Sequence, residues 1–97
     1  MAKKYFLISE VVTVCSVTEE FIHSLEQEHL VVSVMRRNEK VYSVDQVDRI
    51  RVAHNLIGEL GVNLEGVEVA LHMREQIIAM RRELVRLMNQ LPKRVRK

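Results

Sequence analysis

Four histidines, one cysteine and a block of glutamates hold most of the chemistry that this sequence offers. His23, His29, His54 and His72 show no paired metal-ligand spacing. Cys15 stands alone, so neither a Cys-rich zinc site nor an internal disulfide framework is expected. Near a predicted helix end, Cys15 reads as a small buried hydrophobe rather than a reactive thiol. No nucleophile, base and orienting group fall at suggestive spacing, and no glycine-rich loop is available to cradle a phosphate. The expectation is a protein without enzyme activity, metal or cofactor.

Charge is the more informative chemistry. The formal net charge of +2 hides two blocks. Residues 93–97 hold four of the 15 basic side chains; removing those four leaves 11 against 13 acidic ones, a balance of −2. Residues 5–35 contain no Lys or Arg, yet include Glu10, Glu19, Glu20, Glu26 and Glu28. Such a stretch repels phosphate and attracts basic partners. The basic tail reads as a solvated end.

The elements that position these charges belong to one small domain of 97 residues. Its hydrophobic share is 47% with only 4% aromatic and no Trp, so Val, Leu, Ile and Met must build the core, which suits helices packed on helices. Lys3 and Lys4 precede an apolar stretch, but Glu10 interrupts it too early for an export signal, and a cytoplasmic protein with no membrane span is expected. A core this small makes dimerisation a reasonable expectation.

Residues 5–8 read as a short extended segment, and Ser9 as the cap of a first helix ending near Val14. Ser16, Val17, Thr18 and Glu19 form a capping-box pattern that opens a second helix reaching about His29, with Val17, Phe21, Ile22 and Leu25 on its buried side. Residues 30–35 are β-branched and short, Arg36, Arg37, Asn38 and Glu39 form a polar turn, and residues 40–42 return, which predicts a small hairpin. Ser43, Val44, Asp45 and Gln46 repeat the capping pattern before a third helix, whose apolar positions are Val47, Ile50, Val52 or Ala53, Leu56, Ile57 and Leu60. Gly61 is a helix-ending glycine and Asn63 caps the next helix. Gly66, in its first turn, either permits close packing or lowers helicity.

That fourth helix is predicted from Leu64 to about Leu91, ended by Pro92. Ala70, Met73, Ile77, Met80, Leu84, Leu87 and Leu91 alternate spacings of three and four, an unbroken heptad seam. Leu64, Val67, Leu71, Ile78, Val85 and Met88 form a second row beside it. A monomer this small has too few elements to cover both rows along a helix of about 40 Å at 1.5 Å per residue. A coiled-coil homodimer is therefore expected. Arg74, Arg81 and Glu83 beside the seam fit neither helix orientation cleanly. Met73 and Met80 are read as seam core rather than as an adaptable binding surface.

Helix, turn, helix, hairpin, helix, glycine turn and long helix is an order that resembles the MerR superfamily over nearly the whole chain. YFLISEVV at residues 5–12 looks like that family's opening strand and first helix. Leu25, Glu26, Gln27, Glu28, His29, Leu30 and Val31 match its Tyr-Glu-x-x-Gly-Leu-Ile pattern. Val41, Tyr42, Ser43, Gln46 and Val47 match its run from the wing into the third helix. The most specific stretch is ELGVNLEGV at residues 59–67, which is similar to one shared by the heat-shock repressor branch and the chaperone-modulator (CbpM) family. The resemblance implies a mainly α fold: a winged helix-turn-helix head with a small β-hairpin wing at residues 1–62, a long coiled-coil dimerisation helix at 63–91, and a basic tail at 92–97.

The departures from the DNA-binding pattern weigh on function. DNA-binding members carry Thr-Leu-Arg-Tyr-Tyr-Glu on the second helix; here the matching residues are Phe21, Ile22, His23, Ser24, Leu25 and Glu26, so His23 stands in place of the arginine. Candidate DNA contacts remain at Arg36, Arg37 and Lys40 on the wing, with Arg49 and Arg51 behind. Wing contacts to phosphate give affinity but no base reading. Each glutamate near phosphate opposes binding by about 1 kcal/mol at short range. The resemblance thus implies a chaperone modulator that binds a J-domain co-chaperone through Glu19, Glu20, His23, Glu26 and Glu28 and keeps it from its chaperone partner. Such a protein binds DNA weakly and non-specifically at most. The alternative is a dimeric DNA-binding regulator of heat-shock genes.

Overall fold

The structure, a computed structural model, describes residues 3–92. Its elements are β1 (Tyr5–Leu7), α1 (Ile8–Cys15), α2 (Glu19–Gln27), β2 (Val34–Arg36), β3 (Glu39–Ser43), α3 (Val44–Leu60) and α4 (Leu64–Met88). This is the expected mainly helical fold, with a winged head and one long helix. The basic residues 93–97 singled out in the sequence lie outside the described residues.

The wing is larger than a hairpin. β1 pairs with β3 on the edge opposite β2, giving an antiparallel sheet of order β1-β3-β2 in which Phe6 faces Tyr42 and Met35 faces Lys40. Arg37 and Asn38 form the turn between β2 and β3 with φ of 51° and 63°, the doubly left-handed geometry that matches strand twist. The predicted strand over residues 30–35 shrinks to Val34–Arg36 because Leu30 and Val31 are drawn into the core as loop residues, 5% and 1% exposed.

Two predicted caps shift. Leu7, not Ser9, caps α1, and Glu10 reaches back to accept from the Leu7 N–H at 2.8 Å. Ser16 does not open α2. It closes α1 in a left-handed conformation (φ 57°), which swings Val17 into the core and leaves Thr18 to cap α2, accepting from the Phe21 N–H at 3.0 Å. α2 then ends at Gln27, two residues before the expected His29, where φ of 59° turns the chain.

The later caps fall where the sequence puts them. Ser43 accepts from the Gln46 N–H and Asn63 from the Gly66 N–H, while Gly61 closes α3 at φ 65°. The Gln46 side chain does not reach back, as a full capping box requires; its Oε1 accepts from the Val32 N–H at 3.0 Å and ties down the loop before the wing. Gly66 serves close packing, since a Cβ there would lie 2.6 Å from Val62 Cγ1.

All four helices and the sheet share one core around Val11, Ile22, Leu25, Tyr42, Ile50, Val67 and Leu71, and Phe21 meets His54 edge-on at its margin, 5.6 Å between centroids. Leu60, predicted on the buried side of α3, is instead exposed at the helix end. The second row of α4 divides: Val67 and Leu71 are buried against the head and Ile78 is half-buried, whereas Val85 and Met88 are exposed. Arg49 on α3 pairs with Glu75 on α4, and Asp48 on α3 pairs with both Arg51 and Arg74, so α4 is bound to the head by charge as well as by apolar contact. No helix among the described residues is long and apolar enough to cross a membrane.

Candidate functional site

The outer side of α2 carries Glu19, Glu20 and His23, all exposed, and Glu28 caps its far end, also exposed. The amphipathic pattern fixes this presentation: Ile22 and Leu25 are fully buried on one side of the helix, which puts Glu19, Glu20 and His23 on the other. Phe21 is only half-buried, which adds apolar surface at the base of the face. None of Glu19, Glu20 and Glu28 forms an ion pair with another described residue.

Glu26 has a different role. Its Oε1 accepts from Lys40 Nζ at 3.0 Å and from the Tyr42 hydroxyl at 3.1 Å, so this carboxylate joins α2 to the wing. Tyr42 is wholly buried, and burial, reinforced by the Glu26 charge, pushes its phenol well above the ordinary range. The sequence placed Glu26 among the docking acids; three-dimensionally it is a strut whose charge Lys40 already answers.

Most of the candidate DNA contacts are engaged by other residues of the molecule, although Arg36, Lys40 and Arg51 remain exposed. Besides Lys40, Arg36 lies 4.0 Å over the Tyr5 ring and donates to its hydroxyl at 2.7 Å. Arg49 donates to the Leu30 carbonyl at 2.8 Å and pairs with Glu75, and Arg51 pairs with Asp48. Arg37, at the wing tip, is the one of these five cations with no ion pair or ring contact among the described residues. Sequence reasoning missed Tyr5, Glu75 and Asp48, which lie 31, 26 and 26 residues from Arg36, Arg49 and Arg74, and Tyr42, which lies 16 residues from Glu26; only the i, i+3 spacing of Asp48 and Arg51 was a local signal.

Along α4 and the turn after it, Ala70 is half-buried beside the head, while Met73, Ile77, Met80, Leu84, Leu87 and Leu91 are between 46% and 69% exposed; the helix ends at Met88, three residues before the expected Leu91, which lies in the following turn. Six large apolar side chains in one stripe form a continuous uncovered face. Ile77, Met80, Leu84 and Leu87 border a shallow cleft on it.

Cys15 is buried, as expected, and loss of solvation pushes its thiol up. His23, His29 and His72 are exposed and His54 is half-buried. Among the described residues, no three His, Cys, Asp or Glu side chains come together as a metal-ligand set.

No curated protein and no solved structure matches the chain. A family model does, that of the MerR HTH regulatory proteins, over residues 6–89. The match runs from β1 through the last turn of α4, taking in the helix-turn-helix pair, the wing and the long helix just described. This chain belongs to the MerR HTH family of regulatory proteins.

Proposed function

We propose that this chain regulates by docking a protein rather than by reading DNA: as a homodimer, it binds the basic helix of a J-domain co-chaperone on the outer side of α2 and keeps that co-chaperone from its chaperone partner. The observation that carries this reading is the pairing of two facts about charge. Glu19, Glu20 and Glu28 stand exposed and unpaired on the second helix of the helix-turn-helix, while Arg36, Lys40, Arg49 and Arg51 are engaged within the molecule. A phosphate backbone approaching the second helix meets three unpaired acids, while Lys40, Arg49 and Arg51 already hold carboxylate partners. A basic helix meets complementary charge, with His23 and the margin of Phe21 as local contacts. Family membership supports a regulator, and a fold of this kind does not by itself choose between DNA and protein as its target.

The test is a titration of a J-domain with the wild-type protein and with Glu19→Lys/Glu20→Lys at two salt concentrations. The double reversal should slow association and weaken binding by more than about tenfold, or 1.4 kcal/mol. Unchanged affinity overturns the docking face. A sequence-specific complex with an inverted-repeat operator, nanomolar at physiological salt, replaces this reading with that of a DNA-binding regulator of heat-shock genes.

A further inference from the structure

A groove runs between the end of α2 and the first turns of α4. One stretch of about 420 Å³ is lined by His29, Leu30, Glu68, Val69 and His72, and a second of about 230 Å³, sharing Leu30 and Glu68 with the first, is bordered by Glu28, Leu64 and Glu65. Leu30, Leu64 and Val69 are its apolar lining, and Glu28, Glu65 and Glu68 its acidic groups, beside His29 and His72. Glu28, Glu65 and Glu68 form no ion pair among the described residues. Arg49, the cation that lines the first stretch, is already paired with Glu75.

We propose that this groove receives the basic residues 93–97 of a second copy of the chain, so that an acidic groove and a basic segment close each end of the dimer. The inference rests on the dimer of the preceding section and goes beyond it in naming a contact between the groove and the basic segment. Lys93, Arg94, Arg96 and Lys97 supply four cations with one intervening valine. They cannot reach the groove of their own chain. Glu68 and Met88 are separated by about 30 Å of helix at 1.5 Å per residue, residues 89–91 continue beyond it in hydrogen-bonded turns, and the five residues after Pro92 span at most about 18 Å.

A second copy brings them there if the long helices run antiparallel. In that orientation heptad a positions meet d positions. Setting Met80 against Leu84, Ile77 against Leu87 and Met73 against Leu91 covers all six exposed members of the stripe and leaves Ala70, already half-buried, at the head. The same register points the chain beyond Pro92 toward residues 67–71 of the partner copy. Val69, 57% exposed, lies at that level between the stripe and the groove, and Glu65, Glu68 and His72 are within one turn. A parallel pair would instead bring two sets of four cations together, with Arg81, Arg82 and Arg86 of both helices nearby, and leave both acidic grooves empty.

Cysteine pairing in the full chain tests this, because Cys15 is buried away from a mild oxidant. Glu68→Cys and Arg94→Cys proteins, mixed and allowed to exchange subunits, should form a cross-linked dimer, while Arg94→Cys alone should not. Removing residues 93–97, or making Glu65→Lys/Glu68→Lys, should weaken dimerisation by about tenfold at low salt, and the two changes together should cost little more than either. The effect should fade near 0.5 M salt, where the screening length is only about 4 Å. Cross-linking of Arg94→Cys with itself would establish a parallel pair and overturn the proposal. A stable wild-type dimer with no mixed cross-link and no response to either change would leave dimerisation standing and overturn the groove contact. A wild-type chain that sediments as a monomer at micromolar concentration would overturn the dimer itself.

Discussion

The Tyr42 hydroxyl, on a wholly buried ring of the wing, donates to Glu26 on α2 at 3.1 Å, and Lys40 reaches the same carboxylate oxygen at 3.0 Å. This places a charge at the joint between the helix-turn-helix and the sheet. Removing the acceptor leaves a buried phenol without its partner, whereas removing the phenol's oxygen leaves a carboxylate that Lys40 still holds.

Glu26→Ala should therefore destabilise the fold more than Tyr42→Phe does. The first is expected to lower unfolding free energy by about 1–3 kcal/mol and the second by about 1 kcal/mol. Urea unfolding monitored by circular dichroism checks both. Glu19→Ala, exposed and unpaired, should stay within about 0.5 kcal/mol of wild type.

Local chemistry was legible in the sequence and long-range chemistry was not. Ser43, Gly61 and Asn63 act on residues within four positions, so their caps could be read directly. The capping pattern at Ser16 misled because burial of Val17 decided the issue: the turn that buries it needs Ser16 left-handed, and a left-handed residue cannot be the extended cap of the next helix. The acids of α2 were correctly placed on one helix, but the assignment of Glu26 depended on Lys40 and Tyr42, 14 and 16 residues further along. The stripe on α4 was legible from its period; what the sequence left open was how much of the second row the head would cover, which Val67 and Leu71 now answer.

His29 stands where the family pattern carries glycine, and its φ of 59° shows why that pattern favours glycine there. A side chain in left-handed backbone costs about 1–2 kcal/mol, offset in part by the extra entropy that glycine gives the unfolded chain. His29→Gly should raise stability by about 0.5–1 kcal/mol. A higher urea midpoint with an unchanged slope is the expected result, and a lower midpoint would mean that His29 makes stabilising contacts in the groove.

Asp48 gives stability a dependence on acid. Partial burial pushes its carboxyl up, but hydrogen bonds and charge from Arg51 and Arg74 outweigh that and hold it below its ordinary value of 3.8. A carboxyl depressed in the folded state contributes stability that is fully present above the unfolded value and is lost as pH falls through the folded one. The contribution should thus persist at neutral pH and drain below about pH 4. Asp48→Asn should lower Tm at pH 7 and flatten the fall in Tm between about pH 4 and pH 2. Thermal melts across that range check the sign, and parallel curves for variant and wild type would remove Asp48 from the acid response.

Leu84 is 57% exposed in the single chain and sits outside the core of the head. Leu84→Glu should accordingly leave the head folded while placing an unpaired charge in the layer that a second copy would cover, at a cost to association on the order of 3–5 kcal/mol. Sedimentation should show a monomer for the variant against the dimer proposed for wild type, and far-ultraviolet circular dichroism should retain the signal of the head. Wild-type sedimentation behaviour in this variant would show that the stripe is not the dimer contact.

Two glycines inside helices should respond oppositely to alanine. At Gly58, in α3, an added Cβ meets nothing within 4 Å, and the backbone is not left-handed. The change therefore acts through helix propensity and the unfolded chain, and Gly58→Ala should stabilise by about 0.5–1 kcal/mol. At Gly66, in the first turn of α4, the same Cβ would lie 2.6 Å from Val62 Cγ1 and 3.2 Å from Asn63 Oδ1. Val62 is β-branched and stiff, so its methyl cannot swing aside freely. Asn63 Oδ1 is the acceptor that caps α4 through the Gly66 N–H at 2.8 Å, so pushing it away weakens the cap as well. The steric cost, typically about 1–3 kcal/mol for an overpacked methyl, exceeds the propensity gain. Gly66→Ala should lower stability by about 1 kcal/mol net, with the loss reduced when Val62→Ala makes room. Urea unfolding of the two single variants and the Gly66→Ala/Val62→Ala pair measures this, and a stabilised Gly66→Ala protein would show that Val62 yields more easily than its packing implies.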